Sequence, residues 1–190
     1  MNLSIKKLTP EMHEEYLYFF DNIAFTDHEE WSACYCLESH LIKEEEEKYE
    51  GKGARCEKAK ELIEHGILNG YLIYDEEKII GWCNCDDKLN YYPIVSNEEF
   101  NTGINEKGKI KAVYCIDIAP DYRGKGIADF IIDKVLEDAR KEGYLYAEAY
   151  PFSDKSFAYQ YHGPIRLYEK HGFEMYSEKS WFVIMRKELV

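Results

Sequence analysis

A chain of 190 residues with 24 basic and 37 acidic side chains, net charge −13, has the length of one domain with a sizeable core. Its 45% hydrophobic and 32% charged residues are an ordinary globular balance, and no apolar run approaches the roughly 20 residues of a membrane span. The negative balance speaks against nucleic acid and anionic membrane as partners and favours a cationic one such as an amine, although a solubilising surface is the commoner reason for such charge.

The opening MNLSIKKLTP carries no apolar signal-peptide core, so a cytoplasmic location is the expectation. Leu3, Ile5 and Lys7 alternate as a short strand. Thr9 then has the character of an N-cap, with Pro10 at the first helical position, and a helix runs to about 20–24 with Tyr16, Phe19 and Phe20 facing a core. Residues 25–68 hold an aromatic stretch, WSACYCLESH (31–40), a charge run, KEEEEKYEGKG (43–53), and a helical pattern at 54–65 ahead of Gly66. Two helices with a mobile joint are expected there.

A hairpin follows, with strands at 71–74 and 78–85. Residues 86–108, rich in Asn, Asp and Gly, read as a loop long enough to be functional or partly disordered. KAVYCIDIA (111–119) is the clearest strand and ends at Pro120. A helix opens at Gly126 or Ile127 and reaches about Lys141, with Ile127, Ile131, Ile132, Val135, Leu136 and Ala139 on one face. A strand at 144–150, a loop PFSDKSFAYQYHG, a short helix at 164–171 and strands at 173–177 and 181–187 complete one α/β domain over 1–190.

The six cysteines, at 34, 36, 56, 83, 85 and 115, lack the secretory context of a disulfide framework. Cys34-Tyr-Cys36 and Cys83-Asn-Cys85 would make four zinc ligands, but C-x-C is not the C-x2-4-C spacing of structural zinc sites. Cys83 and Cys85 also lie on a strand, where cysteine packs as a small hydrophobe. No metal is expected.

YRGKGIADF (122–130) sets a basic, glycine-rich turn between a strand and a helix N-terminus, an arrangement that binds anions. It is neither a Walker A motif nor a dinucleotide fingerprint, because Asp129 stands where the latter needs its third glycine. It does carry R-x-x-G-x-A at Arg123, Gly126 and Ala128, which resembles the pyrophosphate turn of the acyl-CoA-dependent N-acyltransferases of the GNAT superfamily. CIDIAPDYRGKGIA is similar to that family's fourth strand and following helix, and PIRLYEKHGFE (164–174) to its terminal segment.

The resemblance implies a single GNAT-like domain with a mixed central sheet of about seven strands, splayed at strands 4 and 5 and flanked by about four helices. It implies acetyl-CoA as co-substrate, with the pantetheine arm along Ile116, Asp117 and Ile118. The pyrophosphate would sit on the N–H groups of Arg123, Gly124, Lys125, Gly126, Ile127 and Ala128. The expected reaction is acetyl transfer to a primary amine, which must shed a proton from a group of pKa near ~10.4 while the departing thiolate gains one. Tyr168 matches the family's proton donor and Glu148, in YLYAEAYP, its fifth-strand base. Ala112 cannot serve as base, whereas Asp117 or a water chain could. Two positions depart from the family: Tyr161 where many members have a cofactor-holding Asn, and Pro164 where they have Ala. Tyr159, Tyr161 or His162 are the substitutes. An aromatic wall of Trp31, Tyr35, Tyr91, Tyr92 and Tyr159, with Glu29, Glu30 and Asp86, would select a small cationic amine. A peptide N-terminus is the rival acceptor, a non-catalytic acyl-CoA-binding sensor the rival class, and the resemblance also allows a homodimer.

Overall fold

The computed structural model describes residues 1–100, 109–154, 156 and 160–189. In chain order the elements are β1 (Leu3–Lys7), α1 (His13–Asn22), α2 (Lys43–Glu46), α3 (Lys52–Glu64), β2 (Gly70–Asp75), β3 (Lys78–Asp87) and α4 (Tyr92–Ser96). Then come β4 (Ile110–Ile118), α5 (Ile127–Lys141), β5 (Tyr146–Ala149), α6 (Ile165–Lys170), β6 (Glu174–Glu178) and β7 (Val183–Glu188). Seven strands form one sheet in the order β1-β2-β3-β4-β5-β7-β6. Among the described residues, β4 and β5, joined through α5, are the one parallel pair. Among the described residues no helix is long and apolar enough to cross a membrane.

Each face of the sheet is covered according to the period of its helices. The apolar stripe of α5, with Ile127, Ile131, Ile132, Val135, Leu136 and Ala139 buried, packs on Tyr71, Ile73, Val113 and Ile116. On the opposite face Tyr16, Phe19 and Phe20 of α1 and Ala59, Leu62 and Ile63 of α3 cover Leu72, Tyr74, Trp82 and Cys115. A smaller cluster beside them joins Tyr91, Ile94 and Phe100 to Ala112, Tyr150, Phe182 and Ile184.

The sheet opens in its middle for two local reasons. The β3–β4 register runs Asn84↔Cys115 and then Cys85↔Val113, so Tyr114 is an extra residue that bulges β4. β5 meets β4 only from Ile110↔Tyr146 to Val113↔Ala149. Pro151, which has no N–H for a ladder, follows, and the chain turns to β7 through a Phe152–Phe182 bridge. Beyond Val113, β4 stays with β3 while the β5 strand leaves with β7.

Two expectations are refined. Residues 25–68 hold two α-helices of unequal length, the single turn α2 at 43–46 and the 13-residue α3, with 3-10 turns at 29–31, 37–39 and 47–49. A helix through WSACYC is blocked because Tyr35 (φ 42°) and Cys36 (φ 50°) are left-handed, at a cost on the order of 1–3 kcal/mol each. Part of the expected 86–108 loop is ordered, with β3 reaching Asp87 and α4 at 92–96, while 101–108 lie outside the described residues.

Candidate active site

Two cavities flank the opening, one on each face. The first, about 430 Å³, lies on the α5 side against Gly124, Gly126, Ile127, Ala128, Pro164 and Leu167. Gly124 (φ 71°) and Gly126 (φ 82°) take conformations costly for any side chain, and no atom stands within 4 Å of where a Cβ would be. The turn thus presents bare main chain at the N-terminus of a 15-residue helix, a place suited to anionic oxygens.

Ala119 N–H donates to Ile80 O at 2.9 Å, which sets the alternation of the antiparallel ladder and puts the main-chain groups of Ile116 and Ile118 on the open side of β4. There the Ile116 N–H donates to Tyr161 O at 2.7 Å, and the Ile118 carbonyl accepts from Arg123 Nε at 2.9 Å. Asp117 belongs to neither line, since its side chain is buried on the other face beside Cys36 and Cys115. The Arg123 guanidinium also leaves the turn, binding Asp27 at 2.5 Å and Ala24 O at 3.3 Å. Lys125 sits over the Tyr122 ring, 5.3 Å from its centre. The cations lining this cavity are Arg166 and Lys170 of α6, the latter 2.6 Å from Asp129. The basic letters of YRGKG obscured them.

Tyr168 is fully buried and its hydroxyl donates to His162 O at 2.5 Å. Gly163 (φ 74°) makes that approach possible, because a Cβ there would lie 3.0 Å from the Tyr168 oxygen. Burial holds the phenol well above its ordinary pKa, so it keeps its proton. His162, whose Nδ1–H donates to Tyr114 O, is pushed down to about 4 by burial and is neutral near pH 7. Residues 161–163 therefore occupy the opening that the bulge creates.

The second cavity, about 500 Å³, lies on the opposite face. Trp31, Tyr114 and Tyr161 supply its aromatic wall, Glu30 and Glu38 its carboxylates, and Arg55, Cys34, Cys36 and Cys115 also line it. Of the expected aromatic wall, Trp31 alone among the described residues is there. Tyr35 is a core residue whose hydroxyl donates to Asp21 at 2.5 Å. Tyr91 is buried, donates to Asn84 at 2.8 Å and stacks on Tyr114. Tyr92 is on the surface, and Tyr159 lies outside the described residues. Asp86 accepts from Asn69 and Asn90 away from this cavity. Tyr114 had no local signal, because a bulge depends on the partner strand.

Glu148 is fully buried under this face, and both its oxygens are engaged. Arg186 donates to Oε1 from Nε at 2.7 Å and Nη2 at 2.5 Å. Lys88 Nζ donates to Oε2 at 2.7 Å, as does the Tyr150 hydroxyl at 3.0 Å. The Arg186 guanidinium lies 3.5 Å over the Tyr176 ring and 5.2 Å over that of Tyr146. Glu148 does not line the 500 Å³ cavity.

Residues 26–173 match the acetyltransferase (GNAT) family. No curated protein matches the chain. Among solved structures, the PaiA N-acetyltransferase of Thermoplasma acidophilum in complex with coenzyme A aligns over 99% of both chains at 17% identity, with a TM-score of 0.59. A GNAT acetyltransferase from Listeria monocytogenes aligns over 98% of this chain and 95% of its own at 13% identity, with a TM-score of 0.62. The polyamine N-acetyltransferase of Drosophila melanogaster, which forms N-acetylagmatine, aligns over 97% and 98% at 10% identity, with a TM-score of 0.58. At these identities the likeness is one of fold.

Proposed function

The chain belongs to the acetyltransferase (GNAT) family, and from that premise we propose that it moves an acetyl group from acetyl-CoA to the primary amine of a small cationic molecule. The observation that carries this is the pair of cavities on opposite faces of the sheet, at the place where β4 and β5 part. A thioester held on the α5 side would present its carbonyl at the opening to an amine held on the other. The Gly124–Ala128 main chain, with Arg166 and Lys170, would hold the pyrophosphate, and the main chain of Ile116 and Ile118 would hold the pantetheine arm once residues 161–163 withdraw from the opening and Tyr161 O and Arg123 give up their bonds to it.

Trp31, Tyr114 and Tyr161 offer ring faces to a cation, and Glu30 and Glu38 offer it counter-charge. The volume suits a small molecule. The ammonium loses its proton to water at these carboxylates. The amine then attacks the carbonyl, a C–N bond forms and the C–S bond breaks. Tyr168, still protonated, turns its hydroxyl from the His162 carbonyl and gives its proton to the leaving sulfur, and the second proton that the nitrogen sheds as the amide forms returns through water to the phenolate. Glu148 acts as a positioning residue, because a carboxylate that already satisfies Lys88 and Arg186 serves best by fixing β5, β7 and Tyr150 beneath the cavity.

Thiol release from acetyl-CoA, measured against a panel of polyamines, other small amines and peptides, tests the proposal. Turnover with a small cationic amine, lost in Tyr168→Phe while CoA binding persists, is expected. Tight CoA binding without turnover on any acceptor would overturn it in favour of an acyl-CoA-binding sensor.

A further inference from the structure

The sequence offered two C-x-C pairs, and the fold separates them. Cys83 and Cys85 pack on the α5 side, whereas Cys34 and Cys36 lie on the other face. What meets Cys36 there is β4. Residues two apart on a strand share a face, so Cys115 and Asp117 project together to the side where residues 31–41 cross the sheet.

One ligand atom each from Cys36, Cys115 and Asp117 lies within 4.8 Å of the other two, and all three residues are buried. Asp117 Oδ2 is 3.2 Å from Cys115 Sγ and 3.9 Å from Cys36 Sγ. Zinc–sulfur bonds of ~2.3 Å and zinc–oxygen bonds of ~2.1 Å, set tetrahedrally, require ligand atoms about 3.6–3.8 Å apart. The observed separations bracket that spacing. The Cys34 thiol adjoins that of Cys36, and both line the 500 Å³ cavity with Cys115.

The main chain that delivers Cys36 is fixed beyond what packing of a small side chain requires. Tyr35 and Cys36 are consecutive left-handed residues without being glycine, a conformation kept only where the surroundings enforce it. Arg55 binds the carbonyls of Ala33 at 2.6 Å and Cys34 at 3.1 Å. Tyr16 donates to the Tyr35 carbonyl at 2.8 Å, and Ser39 to that of Cys36 at 2.9 Å. Outer hydrogen bonds of this kind orient metal ligands.

We propose that Cys36, Cys115 and Asp117 bind a zinc ion whose fourth position faces Cys34 and the cavity. Two thiolates and a carboxylate form a donor set suited to zinc, and three protein ligands leave one position open. On binding, both thiols release their protons to solvent and the sulfurs take the metal. The ion would tie residues 34–41 to β4 at the wall of the acceptor cavity. The site stands independently of acetyl transfer.

The test uses the full chain, reduced and stripped with a chelator, then titrated with Co²⁺ as a visible surrogate and back-titrated with Zn²⁺. Sulfur-to-cobalt charge-transfer absorption is expected, saturating at one ion per chain and abolished by zinc. Cys36→Ser and Cys115→Ser should each weaken binding at least ~100-fold, while Cys83→Ser and Cys85→Ser leave it unchanged. A wild-type chain without charge transfer, or serine variants at 36 and 115 that bind like wild type, would overturn the site. Should those variants fail to fold, alkylation of wild type decides. Zinc is expected to protect Cys36 and Cys115 from a thiol reagent, and equal labelling with and without zinc, or a Cys36–Cys115 disulfide in place of metal uptake, overturns the proposal.

Discussion

The two cavities differ in what builds them. The one beside α5 is made of main chain, a strand end, a glycine turn and a helix start, and its shape follows from backbone conformation. The one on the opposite face is made of side chains that arrive from residues 30–39, from α3, from the β4 bulge and from Tyr161. A main-chain site tolerates few residue types and so writes itself as a motif. A side-chain site can be assembled from many residues, and its chemistry is open to change without disturbing the sheet. On the proposed reading, cofactor use belongs to the first region and acceptor choice to the second.

Tyr168, to which the proposed reaction assigns the leaving sulfur's proton, gives the largest expected effect. Removing a positioned proton donor costs about 10²–10⁴-fold in rate, so Tyr168→Phe should lower kcat by that factor with acetyl-CoA affinity kept. Were the hydroxyl only a strut for His162, the variant would instead lose about 1 kcal/mol of stability, the typical net value of one hydrogen bond, and keep kcat. Stopped-flow acetyl transfer with calorimetric CoA binding separates the two.

Glu148 comes next, and it tests whether the acceptor side is held from below. Glu148→Gln leaves Lys88 and Arg186 facing a neutral amide in a buried site, which should cost about 3–5 kcal/mol of folding stability. Urea unfolding reads this. A Gln variant as stable as wild type, yet slow in turnover at every pH, would instead return Glu148 to the role of general base.

These two residues also mark how far the sequence could be read. The strand, the Gly124–Gly126 turn, the apolar face of α5 and the segment holding Tyr168 were legible because each is a local pattern, repeated at a helical or strand period or fixed by the φ a glycine allows. Glu148 was legible as a residue but not as a structure. Its partners lie 60 and 38 positions away, and Lys88 stood in what read as a polar loop. The Tyr114 bulge, the left-handed Tyr35–Cys36 pair and the meeting of Cys36 with Cys115 are products of register and packing, which no window of neighbouring residues contains.

The segment that fills the opening gives a pH test of intermediate size. His162 is pushed down to about 4 by burial, below its ordinary value near ~6.5, so the unfolded chain binds the proton more readily. The neutral ring's stability is fully present above pH ~6.5 and is lost as pH falls toward ~4, by about 1.4 kcal/mol per unit and about 3 kcal/mol in all. His40, also pushed to about 4 by burial, acts with the same sign. Unfolding midpoints at several pH values should therefore show a steep acid loss in wild type and a shallower one in His162→Asn, which keeps a donor for the Tyr114 carbonyl. Equal slopes would mean that the ring is hydrated in solution and that residues 161–163 stand away from the opening.

The smallest effects should come from the rim of the acceptor cavity, and they bear most directly on acceptor choice. Glu38 lines the cavity and is exposed to solvent, and Glu30 lines it while accepting from His28 at 2.9 Å. Exposed charge pairs are worth only about 0.2–1 kcal/mol, so Glu38→Gln should raise KM for a cationic amine by about 1.4- to fivefold and leave kcat nearly unchanged. The same change should scarcely alter KM for a neutral amine of equal size. The gap between the two substrates should close as salt rises, because screening at ~0.5 M removes most of an exposed attraction. Glu30→Gln should do less, since one of its oxygens is already taken by the His28 hydrogen bond. A KM that rises equally for charged and neutral acceptors would assign recognition to the rings of Trp31, Tyr114 and Tyr161. The negative charge of the chain would then be a property of its surface and not of its substrate.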